Sequence, residues 1–295
     1  MHEATFADRA CQETVTVTEN VRLARDTYRV RFHCPTLATR IVPGQFLMLK
    51  LHGANDPLLG RPLALYDTVV DDAGRPIGVD VVYLVVGKFT SRLAQLGPGT
   101  KLEVWGPLGN GFAPQPTGHL IMVAGGIGQT PFMALGREAL GLRRYGETPR
   151  AVQKSRVTLC YGARSQEYLA GVDDFRALGI DVRISTDDGS AGRRGFVTDL
   201  LRGLLDEEAA AAGDGNSRNA APQIVCCGPE KMLEAVAHLA HERGTACRVS
   251  LETPMACGIG ICFSCVTKVK DESGEWDYRR TCVEGPVFDA ESIVF

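Results

Sequence analysis

The chain has 295 residues, 44% hydrophobic and 23% charged, an ordinary globular composition with room for two or three small cores. A formal net charge of −3 with no basic block argues against nucleic acid or an anionic membrane as partner. The opening MHEATFADRACQETVTV lacks the apolar core of a signal peptide, and no apolar run nears the ~18 residues of a membrane span. The expected location is cytoplasmic, with reduced thiols and no membrane association.

The N-terminal third reads as β-structure. ETVTVTENVRL, TYRVRFHCP, GQFLMLKLH and IGVDVVYLVV alternate or run apolar, and Pro and Gly separate them. Evenly spaced short strands predict a small antiparallel β-barrel over residues 1–115, ending in the Gly- and Pro-dense LEVWGPLGNGFAPQPTG. From residue 116 the pattern changes. HLIMVAGG, RVTLCYGAR, VRISTDD and QIVCCGP read as strands, and FMALGREALGLRRYG, VDDFRALG, FVTDLLRGLLDEE and EKMLEAVAHLAHERG as the helices between and after them. This alternation predicts an α/β domain over residues 116–246, with a parallel sheet covered on both faces. Within it EEAAAAGDGNSRNAAP, about residues 207–222, reads as a flexible surface insertion. Residues 247–295 form a third, small unit with little core of its own, which a metal centre would staple.

The candidate staple is ACGIGICFSC, residues 256–265. Of ten cysteines, Cys11, Cys34, Cys160, Cys226, Cys227 and Cys247 are scattered and read as small buried hydrophobes. The other four run C-x4-C-x2-C at Cys257, Cys262 and Cys265, with Cys282 after sixteen more residues. A reduced compartment disfavours a disulfide. Zinc is the stronger rival, but structural zinc usually takes two well-separated ligand pairs, whereas here three thiols crowd one loop. The spacing is that of a plant-type [2Fe–2S] centre. Wrapping one loop round such a centre puts Cys257 and Cys262 near one iron and Cys265 and Cys282 near the other. Gly258 and Gly260 would supply the left-handed turns and bring N–H groups close to the sulfides.

Two further turns suggest a nucleotide. LIMVAGGIGQTPFMALGREAL runs from a buried strand through Gly125, Gly126 and Gly128 into a helix beginning near Pro131. Such a turn admits a pyrophosphate to the backbone, and the helix N-terminus favours its charge. The G-x-G-x-x-G fingerprint is absent, so a plain tight turn is the alternative. CCGPEKMLEAV puts a second turn, Cys227-Gly228-Pro229, at the same carboxyl edge of the sheet, either a ligand loop or an ordinary βα connection.

Together these pieces resemble the ferredoxin-reductase superfamily and, within it, the electron-transfer subunits of dihydroorotate dehydrogenase B. The matching stretches are PGQF (43–46), RPLAL (61–65), VVGKFTSRLAQL (85–96), GPLGNGF (106–112), GGIGQTP (125–131), STDDGS (185–190), CGPEKML (227–233), ETPMACGIGICFSC (252–265) and CVEGPVF (282–288). They keep the family's order over nearly the whole chain. The resemblance implies FAD in the barrel, NAD as cosubstrate in the α/β domain and a [2Fe–2S] cluster at the C-terminus. A flavin suits the middle position, because nicotinamide exchanges a hydride and a cluster a single electron.

The resemblance carries FAD contacts onto Arg61, Pro62, Leu63, Ala64, Val82, Tyr83, Leu84, Phe89 and Thr90, with Arg61 at the flavin phosphates and Tyr83 packed on the flavin. The chain departs from the family at Ala64, where a hydroxyl is usual, at Leu84, where a basic residue is common, and at Phe89, where glycine is usual. A ring at 89 would crowd the pyrophosphate, and Lys88 or Arg92 would replace the lost charge. For NAD the resemblance implies Gly126, Gly128, Thr130 and Pro131 at the pyrophosphate, Cys227 and Gly228 near the nicotinamide, and Asp188 near the adenosine ribose. An acidic group there favours NAD over NADP, while Arg164, Arg193 and Arg194 argue the other way. No catalytic residue is assigned. The implied activity is that of an NAD oxidoreductase subunit of pyrimidine biosynthesis. An FMN-containing catalytic partner, in a heterotetramer, oxidises dihydroorotate, and electrons pass by the cluster and FAD to NAD. The alternatives are a reductase subunit of a hydrogenase, oxygenase or ferredoxin:NADP complex, or a flavin-free redox sensor carrying only the cluster.

Overall fold

The computed structural model describes residues 9–113, 118–148, 156–213 and 221–295. The first elements are β1 (Cys11–Ala24), β2 (Thr27–His33), α1 (Pro35–Arg40), β3 (Phe46–Leu51), β4 (Arg61–Val70), β5 (Pro76–Leu84), α2 (Lys88–Leu93) and β6 (Lys101–Leu108). Their six strands close an antiparallel barrel in the order β1-β2-β5-β4-β3-β6. Strand alternation drives the closure: Val15, Val17, Phe32, Leu47, Leu49, Leu65, Val81 and Tyr83 all point into one core. Each such side chain stabilises the fold by roughly 1.5–3 kcal/mol on burial.

Parts of the outer barrel surface are also dry. Phe46, Met48 and Leu108 pack outward against the C-terminal unit, and Tyr66, Val82 and Phe112 pack against the central domain. These two walls position the functional loops.

The central domain contains β7 (His119–Gly125), α3 (Phe132–Ala139), β8 (Arg156–Ala163), α4 (Val172–Ala177), β9 (Asp181–Thr186), β10 (Arg193–Arg194), α5 (Val197–Gly213), β11 (Gln223–Cys227), α6 (Glu230–Glu242) and β12 (Cys247–Ser250). The C-terminal unit adds a hairpin of β13 (Val266–Lys270) and β14 (Trp276–Arg280), then β15 (Val287–Asp289). The large sheet runs β10-β9-β8-β7-β11-β12-β15, parallel except for β15. Its central strands are near-continuous apolar runs because both faces are covered. α3 and α4 pack with Met122, Ala124 and Leu159 on one face, and α5 and α6 with Ile121, Val123 and Cys160 on the other.

Two expectations are corrected here. Residues 207–213 are not a flexible insertion but the last turns of α5, where alanines favour the helix and Glu207 pairs with Arg183 at 2.8 Å. The rest of that stretch, 214–220, lies outside the described residues. The boundary expected at residue 247 falls inside the sheet, since β12 pairs with β11 and β15 returns to pair with β12. The third unit is therefore anchored to the central sheet at both ends.

Candidate cofactor and cluster sites

After β12 the chain enters the cysteine loop, which lies on the outer wall of the barrel. Trp105 Nε1 donates to the Cys257 carbonyl at 2.9 Å. Gly258 and Gly260 take φ of 74° and 84°, as the turn chemistry requires. A Cβ on Gly258 would stand 2.6 Å from Met48 Cγ, so only glycine lets the loop lie this close to the wall. Phe263 also takes a left-handed φ of 55°, unusual for a bulky residue, with its ring under the Arg280 guanidinium at 5.1 Å.

The four thiols fall into two pairs. Cys265 and Cys282 are buried, with sulfurs 3.1 Å apart, against Phe46, Met48, Leu108 and Val283. Cys262 is exposed and hydrogen-bonded with half-buried Cys257. Proximity thus gives the same pairs as the spacing. The Cys262 thiol is pulled down to about 6, first by the Ser264 hydroxyl at 3.2 Å and then by backbone hydrogen bonds of Ser264 and Cys257. Burial pushes the Cys282 thiol up to about 12, with Cys265 adding to the shift. Four soft sulfur donors in two pairs fit a two-iron centre.

The two glycine turns meet at the switch point of the large sheet. From β7 the chain winds outward through β8, β9 and β10, then crosses to β11 and β12 on the other side. The crevice beyond β7 and β11 is where open α/β sheets bind ligands. Gly126–Gln129 form a 3₁₀ turn there, and Pro131 leads into α3. A Cβ on Gly128 would stand 2.1 Å from the Cys227 carbonyl oxygen, so the loops touch backbone to backbone. Gly228 closes the contact, at φ 155° against Gly125. Thr130 is buried, and its hydroxyl donates to the Ile127 carbonyl at 2.6 Å, bracing the turn. Cys227 is half-buried, and burial pushes its thiol up to about 12, so it stays neutral. At the far end of the crevice Asp188 Oδ1 accepts hydrogen bonds from the Ser190 hydroxyl (2.6 Å) and N–H (2.9 Å), which hold its carboxyl below the ordinary range. Arg164, Arg193 and Arg194 are exposed.

Sequence reasoning missed Gln129, in the middle of this turn. It is fully buried, and neither its carboxamide oxygen nor its nitrogen has a partner among the described residues. Leaving such a group unpaired costs about 1–3 kcal/mol, an arrangement that suits a ligand able to pair with it. Gln129→Met should therefore raise the melting temperature of the cofactor-free protein while weakening cofactor or nucleotide binding. A melting curve and a nucleotide titration check both arms, and a destabilised apo variant would sink the idea.

On the flavin side, Arg61, Pro62, Leu63 and Ala64 open β4 and are half-buried. Pro62 and Ala64 pair with Met48 and Phe46, so they share the outer wall on which the cysteine loop lies. Leu63 packs toward the barrel core, and Arg61 Nη1 donates to the Leu59 and Gly60 carbonyls, each at 3.0 Å. Val82 faces the central domain, and Leu84 is half-buried at the end of β5.

Two expectations fail here, at Tyr83 and Phe89. The Tyr83 ring is inside the barrel, stacked on Tyr28 at 5.9 Å with its hydroxyl on Asn20, and so cannot pack on a flavin. Phe89 also turns its ring into the barrel core, so it neither contacts nor crowds a pyrophosphate through that ring. Thr90 spends its hydroxyl on its own loop, accepting from Val86 N and Gly87 N and donating to Gly87 O. Lys88 and Arg92 are both paired with Asp56 at the surface.

With this geometry in hand, the chain can be set beside known proteins. Residues 14–112 match the oxidoreductase FAD-binding domain, 122–238 the oxidoreductase NAD-binding domain, and 252–294 the iron–sulfur cluster binding domain of dihydroorotate dehydrogenase B. The electron transfer subunit of dihydroorotate dehydrogenase B (NAD(+)) from Desulforamulus reducens is 34% identical over 275 residues, 92% of this chain and 94% of that protein. Its counterpart from Caldanaerobacter subterraneus subsp. tengcongensis is 31% identical, covering 95% and 97%. The chain belongs to the dihydroorotate dehydrogenase B electron transfer subunit family. A solved structure of an NADH-dependent reduced ferredoxin-NADP oxidoreductase is similar with a TM-score of 0.75 at 28% identity, covering 100% of this chain and 91% of that one. As a member of the family, the chain is an oxidoreductase subunit with FAD-, NAD- and iron–sulfur-binding domains. No helix among the described residues is long and apolar enough to cross a membrane.

Proposed function

We propose that this electron transfer subunit works in the cytoplasm, in a heterotetramer with an FMN-containing subunit that oxidises dihydroorotate, and relays the electrons to NAD. The observation that carries the reading is an order in space. The Gly126–Gln129 turn touches β5, β5 pairs with β4, and β4 pairs with β3, whose outer face bears the cysteine loop. Adjacent strands lie about 4.8 Å apart, so a ligand along the start of β4 would sit between the nucleotide crevice and the sulfurs. Bound FAD would exchange a hydride with nicotinamide and single electrons with a [2Fe–2S] centre.

The residues then divide the work. Gly126, Gly128 and the α3 N-terminus receive the nucleotide pyrophosphate, with Thr130 and Pro131 fixing the turn. The backbone of Cys227 and Gly228 lines the nicotinamide end, where a neutral thiol avoids a competing charge. Arg61 supplies a cation for the flavin phosphates, beside Pro62, Leu63 and Ala64. Cys257, Cys262, Cys265 and Cys282 hold the cluster. Asp188, already fixed by Ser190, disfavours a 2′-phosphate and supports NAD over NADP.

The partner reading is supported by the surface round the exposed Cys262. Ile261 and Phe263 are 75% and 62% exposed, and Trp276 and Tyr278 stand out from the adjoining hairpin. Arg280 ties this hairpin to the cysteine loop through the Gly260 carbonyl at 3.1 Å.

One preparation tests the reading. Protein purified anaerobically with its co-expressed FMN subunit should show flavin and iron–sulfur bands that bleach with NADH, and more slowly with NADPH. Cluster bands without releasable FAD would favour the sensor instead, and a colourless zinc protein would end both readings.

A further inference from the structure

The barrel and the central domain are joined by one buried carboxylate. Asp67 lies on β4, three residues beyond Ala64, and is buried. All its long-range partners come from the other domain. Arg137 Nε stands 2.9 Å from Oδ2 as an ion pair without hydrogen-bond alignment, Arg143 Nη1 donates to Oδ1 at 3.0 Å, and the buried Tyr145 hydroxyl donates to Oδ1 at 2.6 Å. Arg143 also reaches the Thr68 carbonyl. By contrast, the ion pairs Arg25–Glu167 at 2.6 Å and Arg40–Glu147 at 3.7 Å between the same domains are about half exposed and are weakened by solvent, although the Arg25 N–H also donates to the Glu167 carbonyl at 2.8 Å.

The position of this latch is what gives it a consequence. Arg137 belongs to α3, and the same helix begins at the Gly126–Pro131 turn. At 1.5 Å per residue, Arg137 is about 9 Å from that turn along a rigid helix. At 3.3 Å per residue, Asp67 is about 10 Å from Ala64 along a paired strand. Apolar contacts also join the domains: Tyr66, Val82 and Phe112 meet Phe132, and Ala134 and Tyr145 pack in the barrel core cluster. The gripped carboxylate adds hydrogen bonds and an ion pair of defined direction to that packing.

We propose that Asp67 is a positioning residue for hydride transfer: through Arg137, Arg143 and Tyr145 it sets the distance and angle between the nicotinamide turn and the flavin strip on β4. This rests on the reading that FAD lies along Arg61–Ala64 and NAD on Gly126–Pro131.

The test uses the complex carrying FAD and cluster, mixed with NADH in stopped flow. Asp67→Asn should leave flavin content and cluster bands unchanged. It should weaken the long-wavelength charge-transfer absorbance of the NADH–flavin complex. It should also lower the limiting rate of flavin reduction at saturating NADH by about tenfold or more, with a smaller change in KM. Arg137→Gln should do the same, and the double variant should fall no further than either single one, because both act through one contact. If Asp67→Asn folds poorly, Arg143→Gln serves, since it leaves the Arg137 and Tyr145 contacts in place. Lower melting temperatures with an unchanged limiting rate and an unchanged charge-transfer band would overturn the proposal, as would additive losses. Failure of the underlying site reading would look different, because the unsubstituted complex itself would not bleach with NADH.

Discussion

Serine at position 282 should abolish the EPR signal of the dithionite-reduced [2Fe–2S] centre and leave the flavin spectrum in place. Cys282 follows β14, is fully buried against the barrel wall and has its sulfur 3.1 Å from that of Cys265. A hydroxyl is a harder and weaker ligand for iron than a thiolate. Oxidation of NADH by an artificial acceptor served at the flavin should stay within about twofold. Orotate-linked turnover with the partner should drop by more than about 100-fold, beyond what loss of a mere supporting contact causes. The substitution also buries an unpaired hydroxyl, at about 1–3 kcal/mol. Cys262→Ser carries no such penalty, because Cys262 is exposed, and it should give the same loss of signal. A full-amplitude signal in either variant would remove that cysteine from the ligand set.

The parts of this site legible in the sequence were those that glycine and cysteine spacing encode. Gly258, Gly260 and the three thiols of C-x4-C-x2-C define a backbone path almost by themselves, and the structure follows it. The two turns at the switch point were legible for the same reason, since glycines at strand ends leave few conformations. Tyr83 and Phe89 were misread because both were carried over from the family by position, which does not say where a ring points: Tyr83 faces inward from β5 and Phe89 from α2. Parts of both faces of the barrel sheet are buried, so the usual polar signature of the outside is missing. β12 and β15, of four and three residues, are too short to show any period. Gln129 and Asp67 look like any surface amide and carboxylate in the sequence. Only the fold reveals that one is buried without a partner among the described residues and the other is held by three residues of another domain.

These unread residues share a location. Gln129 and Asp67 both lie where the barrel meets the central domain, as does the touching pair of loops at Gly128 and Cys227. The cofactor contacts carried over from the family describe each domain separately. What relates the domains to each other is the set of contacts between them, and electron transfer between two bound groups depends on that relation as well as on either site. The cysteine loop is fixed to the barrel wall through Trp105 and Gly258, and the turn before α3 to β4 through Arg137. The barrel is therefore the common frame.

Gly128→Ala should damage the nucleotide site more than any other single methyl group added to it. Its Cβ would meet the Cys227 carbonyl oxygen at 2.1 Å, the carbonyl carbon at 2.5 Å and Gly228 Cα at 2.8 Å. All three are backbone atoms, so no side chain can swing aside, and one loop must move off the other. Such overpacking costs about 1–3 kcal/mol in stability. The larger effect should be on NADH. A displacement of about 1 Å at a site that aligns two reacting rings can cost on the order of 100-fold in rate. Gly126→Ala provides the comparison. Nothing lies within 4 Å of its Cβ, but its φ of 56° is left-handed, so the expected cost is only the strain of about 1 kcal/mol. Flavin bleaching titrated with NADH, beside a melting curve, separates the two. Gly128→Ala should lose most of the bleaching rate while keeping its flavin and cluster bands, and Gly126→Ala should keep the greater part of it. Equal losses in the two variants would mean that direct approach of the pyrophosphate, and not contact between the two loops, is what requires glycine at 128.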